Sequence, residues 1–180
     1  MIEQSTQTWI YMRSEREMLD LILDTAQPDD RIRAVILNGS RANPNVPRDP
    51  FQDFDIVYLV SDVAPFVHNL DWIAHFGEML ILQMPEAMGD PPPQQDGSFA
   101  YLMQFTDGNR IDLTIASIED TSWFVQDSLT EVLLDKDGLL QNLPPTSDRD
   151  YLTQPPTAKA FADCCNEFWW ICPYVAKGLW

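Results

Sequence analysis

The chain has 180 residues, enough for one domain and part of a second, and 45% of them are hydrophobic, so a sizeable core can form. Acidic residues outnumber basic ones 28 to 11, a formal charge of −17, and no Lys/Arg cluster supplies the basic patch a nucleic-acid partner requires. No apolar run approaches the ~18 residues of a membrane span. The polar start Met1-Ile2-Glu3-Gln4 carries no secretory signal, so a cytoplasmic protein with neither nucleic-acid nor membrane partner is expected.

In chain order, Ser14-Glu15-Arg16-Glu17 has the form of a capping box, and Met18, Leu19, Ile22 and Leu23 continue at helical spacing. Pro28-Asp29-Asp30 stops that helix. Residues 33–38 read as a first strand. The loop 42–52 follows, where Pro44, Pro47 and Pro50 forbid both helix and central strand. Residues 54–60 are a second strand, 69–77 a short helix and 79–83 a third strand. Residues 84–98, with Pro91-Pro92-Pro93, form a surface loop. A hairpin joins 99–106 to 110–116 across the turn Asp107-Gly108-Asn109. Residues 117–128 suggest a helix and 131–135 a last short strand. The fold class is α/β (α+β): a mixed sheet flanked by helices.

Three carboxylates in this pattern point to chemistry. Asp53 and Asp55 stand at i, i+2 on a strand, so they share a face while Phe54 takes the other. Like charges so close need a cation between them, and hard oxygen ligands of this kind suit Mg²⁺ together with substrate phosphates. Gly39-Ser40, closing the preceding strand, offers a tight turn with N–H groups and a hydroxyl for a polyphosphate. Asp112, between Ile111 and Leu113, is a residue type depleted in strands, and joining the first pair from a neighbouring strand explains it.

The string G-S followed by D-x-D and a later strand Asp is similar to the signature of the nucleotidyltransferase superfamily. With L-N-G-S-R-A-N-P-N, F-Q-D-F-D-I-V-Y, D-G-N-R-I-D-L-T and C-C-N-E-F-W-W, the chain resembles the aminoglycoside 6-adenylyltransferases, the streptomycin-modifying enzymes of antibiotic resistance. The resemblance implies that Asp53, Asp55 and Asp112 hold Mg²⁺, that Gly39 and Ser40 touch ATP, and that Arg41 neutralises phosphate charge. It further implies transfer of AMP to a hydroxyl of an aminoglycoside, a small cation that the acidic surface would attract. Glu86 and Glu167 are candidate general bases. A domain that binds nucleotide without turnover, or that serves another acceptor such as a protein, is the alternative.

From Thr157 the pattern changes. Phe161, Cys164, Cys165, Phe168, Cys172, Val175 and Leu179 recur at helical intervals, with Thr157 as N-cap and Pro173 as a kink or break. Trp169, Trp170 and Trp180 widen the apolar surface, and the three cysteines read as buried small hydrophobes in a reduced protein. The expected division is a nucleotidyltransferase domain over 1–150 and, over 151–180, the beginning of a helical C-terminal domain. A homodimer through the aromatic helix is the other way to cover it.

Overall fold

A computed structural model describes residues 11–90, 92 and 97–180. The expectations for Met1–Gln4 and for most of Pro91-Pro92-Pro93 lie outside the described residues.

Helix α1 (Glu15–Ala26) begins as its sequence requires. Glu17 N–H donates to the Ser14 hydroxyl, and Ser14 N–H donates back to the Glu17 carboxylate at 2.8 Å. Met18, Ile22 and Ala26, one turn apart, are fully buried. The strands β1 (Ile32–Asn38) and β2 (Phe54–Val60) are covered on both faces, which is why they are nearly continuous apolar runs. Strands β3 (Met79–Gln83), β4 (Phe99–Phe105), β5 (Arg110–Ser117) and β6 (Glu131–Asp135) complete a six-stranded mixed sheet in the order β3-β4-β5-β2-β1-β6. Among the described residues, β2 and β5 pair in parallel and the other four pairings are antiparallel.

In β4 and β5 the period-two pattern is clean. Phe99, Tyr101, Met103, Phe105, Ile111, Leu113 and Ile115 are buried, and the residues between them face the other side, half-exposed or exposed. The buried face packs on α1, on helix α3 (Ala64–His68) and on the 3-10 turn Asp71–Phe76. Two large aromatics there satisfy their polar tips: Tyr58 donates to the Ile22 carbonyl at 2.6 Å and Tyr101 to the Phe66 carbonyl at 2.8 Å. A smaller cluster of Ala34, Ile36, Val57, Leu59, Ala116 and Leu140 covers the opposite face of the central strands. Asp55 on β2 and Asp112 on β5 rise from that same face, paired across the two strands.

Three helical expectations are corrected. The segment 69–77 is the 3-10 turn Asp71–Phe76, and the α-helix precedes it as α3, started by the Asp62 carboxylate accepting from Ala64 N–H. Over 117–128 the structure shows a 3-10 turn Ile118–Asp120 and a single turn, α4 (Thr121–Phe124). Ser117 and Asp127 take the Glu119 and Leu129 N–H groups, so side chains compete with a longer helix. The third concerns Pro173: the break it offered does not occur, since it lies inside the continuous helix α5 (Ala158–Leu179).

The chain divides after Asp150, and residues Tyr151–Trp180 form a unit of their own. Thr157 caps α5 by accepting from Ala160 N–H at 3.1 Å. Within this unit Cys164 and Cys172 are exposed and Cys165 half-buried, so they are not the buried hydrophobes expected. Thirty residues with one helix have no second layer of their own to bury them.

Candidate active site

The site is assembled by register. Asp55 on β2 lies directly opposite Asp112 on parallel β5 and opposite Asn38 on antiparallel β1. Asp53 precedes β2 by one residue and shares the face of Asp55, while Phe54 between them is fully buried. Each of Asp53, Asp55 and Asp112 contributes an oxygen to a cluster whose atoms all lie within 4.8 Å of one another. Three hard oxygens at this spacing fit the donor set of Mg²⁺.

One glycine makes the approach possible. Gly39 opens the four-residue turn α2 (Gly39–Ala42) at φ +69°, in the left-handed region. A Cβ built on it would lie 2.0 Å from Asp55 Oδ2. No other residue type allows the Asp55 carboxylate to sit against the chain there. The packing raises the pKa of Asp55 to about 6, first through burial and then through the charges of Asp53 and Asp112, with Arg110 opposing.

Arg41, given a phosphate role by the resemblance, is held by the backbone just before β2. Its Nε donates to the Asp53 carbonyl at 2.9 Å and its Nη2 to the Gln52 carbonyl at 2.7 Å. The guanidinium stacks 3.8 Å from the Phe54 ring centroid, pairs with Glu15 at 3.3 Å and is buried. Arg48, donating to the Arg41 carbonyl at 2.6 Å, ties the Pro-rich loop to the same corner. These bonds position the backbone of Asp53 from behind. Ser40 is half-buried within α2. Glu86, in the 3-10 turn Pro85–Ala87, accepts from the Ala100 N–H of β4 at 3.0 Å and is not a member of the carboxylate cluster. Glu167 belongs to α5 in the separate unit.

Sequence reasoning missed Arg110. Its Nε and Nη2 donate to the two Asp112 oxygens at 2.7 and 2.6 Å, and Nε lies 3.7 Å from Asp53 Oδ2. The signal was present: a residue two before a strand Asp shares its face. Asn38 was missed as well. Its amide donates to Thr130 Oγ1 at 3.1 Å, while its buried Oδ1, beside Gly39 and opposite Asp55, has no partner among the described residues.

Carboxylates from neighbouring strands, gathered against a Gly-Ser turn on a mixed sheet, define a nucleotidyltransferase-type domain. The chain belongs to the streptomycin adenylyltransferase family, whose pattern it matches over residues 12–180. It is 47% identical over 170 residues to an aminoglycoside 6-adenylyltransferase of Bacillus subtilis, covering 93% of this chain and 60% of that protein. A protein of the same description from Campylobacter jejuni is 49% identical over 169 residues, with 93% and 58% covered. The crystal structure of an aminoglycoside 6-adenyltransferase from Bacillus subtilis aligns with a TM-score of 0.61 at 42% identity, covering 93% of this chain and 57% of that one. The chain thus spans about 60% of the length of the curated relatives it matches. Among the described residues no helix is long and apolar enough to cross a membrane.

Proposed function

We propose that this chain carries the nucleotide-binding and phosphoryl-transferring part of an aminoglycoside adenylyltransferase, moving AMP from ATP to a hydroxyl of streptomycin or a related aminoglycoside. The observation that carries the proposal is the convergence of Asp53, Asp55 and Asp112, with Asp55 seated against Gly39, in a member of this family. In the transfer, the acceptor oxygen bonds to the α-phosphorus of ATP. The bond from that phosphorus to the α,β-bridging oxygen breaks, pyrophosphate leaves, and the hydroxyl proton passes to solvent.

Asp53, Asp55 and Asp112 would hold Mg²⁺, which, when bound, supplies charge stabilisation to the phosphates and activates the acceptor oxygen. The chain's own contribution is placement. Arg41 fixes the Asp53 backbone, the β2–β5 register sets Asp55 against Asp112, and Gly39-Ser40 offers the turn against which a triphosphate would lie. The charge of −17 favours capture of a polycationic acceptor and disfavours an RNA end. Glu86 is assigned to holding β4 in place of proton transfer, since its carboxylate accepts from Ala100 N–H.

The test is pyrophosphate release from Mg–ATP with and without streptomycin, using Asp53→Asn as control. Release that depends on streptomycin and disappears in the variant is expected. Release that survives Asp53→Asn would remove the trio from the chemistry. Mg–ATP binding without release would favour a domain that binds nucleotide without turnover or that serves another acceptor.

A further inference from the structure

We propose that Arg110 is an exchangeable counter-cation of the carboxylate trio, gripping Asp112 and Asp53 until a divalent cation displaces it. The inference rests on the reading of the trio as a metal site. Arg110 and Asp112 lie two residues apart on β5, so both side chains rise from the same face of the sheet. The guanidinium fork engages both oxygens of Asp112 and reaches toward Asp53. It therefore engages oxygens on two of the three carboxylates that would ligate a cation.

Simultaneous occupancy is costly. A dication bound to the same oxygens would lie within a few ångströms of the guanidinium, and like charges at that separation repel strongly in a partly buried site. One of them has to leave. The way Arg110 is held shows that it can. Arg41 is locked by two backbone carbonyls, and Arg13 by the Phe76 carbonyl as well as by Asp107. Among the described residues, the hydrogen bonds of the Arg110 side chain go to Asp112 alone. Its side chain is 43% exposed against 20% for Asp112, so it is the solvent-facing partner of the pair and the one free to swing outward. A single positive charge against three carboxylates also leaves the cluster short of neutral, which favours replacement by a dication.

The experiment is Mn²⁺ binding to the full chain without nucleotide, followed by the loss of the free-ion EPR signal, for wild type, Arg110→Gln, Arg110→Lys and Asp53→Asn. Removing a charge-assisted bidentate grip should tighten Mn²⁺ binding about tenfold in Arg110→Gln. Arg110→Lys keeps the charge but cannot fork, and should tighten binding by a smaller factor. In EDTA the melting temperature of Arg110→Gln should fall, because the carboxylates then face each other uncompensated. Binding that Asp53→Asn abolishes but that neither Arg110 variant changes would overturn the exchange alone. So would Arg110→Lys equal to wild type beside a tightened Arg110→Gln, since that is a plain effect of charge. If wild type binds no Mn²⁺, or Asp53→Asn binds it as well, the metal reading of the trio fails and the exchange with it.

Discussion

The hairpin β4–β5 carries two carboxylates with opposite environments, Asp107 in its turn and Asp112 on its second strand. Burial alone would push Asp107 up, yet bonds from Arg13 Nε at 2.5 Å and from the side chain and N–H of Asn109, each at 3.1 Å, hold it well below the usual carboxylate range. Asn109 also donates to the Arg13 carbonyl, so the turn ties down the segment leading into α1. Asp112 instead belongs to a trio in which Asp55 is raised to about 6. The first cluster is satisfied and holds the fold together; the second sets one guanidinium, that of Arg110, against three carboxylates, so part of the repulsion remains. Repulsion retained between strand carboxylates is what a bound cation would relieve, as the proposed function requires.

The largest effect that can break this contrast is on catalysis. Asp53→Asn or Asp55→Asn should lower streptomycin-dependent pyrophosphate release by at least about a hundredfold, with the circular dichroism spectrum unchanged. Wild-type rates in both variants would erase the distinction between the two clusters. Asp107→Asn should act in the opposite way, sparing the trio but costing about 2–3 kcal/mol of stability by weakening the hold on a partly buried guanidinium. Denaturant melts would show this directly. The sign follows from a lowered folded-state pKa. The stabilisation from Asp107 is full above the unfolded value near 4 and is lost as pH falls toward the folded value. The variant's stability should therefore be flatter than wild type below about pH 4. Gly39→Ala should cost about 1–3 kcal/mol from its left-handed backbone, and more where Asp55 cannot move away from the new Cβ. It should also reduce the rate, and a fully active, fully stable alanine variant would show that Asp55 need not sit against the turn.

Much of the site was legible because strands alternate strictly. The i, i+2 spacing of Asp53 and Asp55, and the placing of Asp112 between Ile111 and Leu113, fix the faces once these segments are strands. The Asp107-Gly108-Asn109 turn and the Ser14–Glu17 capping box were legible for another reason, being local hydrogen-bond patterns. Arg41 was not, because its partners Gln52 and Asp53 are brought to it only when the Pro-rich loop folds back. Glu86 found a strand N–H that no local spacing announces. Short 3-10 turns near Asp71 and Ile118 also escaped, since a hydrophobic pattern of one turn does not separate them from an α-helix. Tertiary contacts decided Arg41 and Glu86, and local side-chain bonds such as those of Ser117 and Asp127 decided the short turn after β5.

The most direct test of the contrast is the melting temperature of Asp55→Asn against wild type at pH 8, first in EDTA and then with Mg²⁺. A raised folded-state pKa means that the ionised Asp55 opposes folding above about pH 6 and that the penalty fades as pH falls toward 4. In EDTA the variant should thus be more stable, by about 1–2 kcal/mol after allowance for solvent screening. With Mg²⁺ the wild type alone should gain, and the order should narrow or reverse. A variant less stable than wild type in EDTA, or equal gains from Mg²⁺ in both proteins, would contradict a carboxylate trio held in repulsion for a cation.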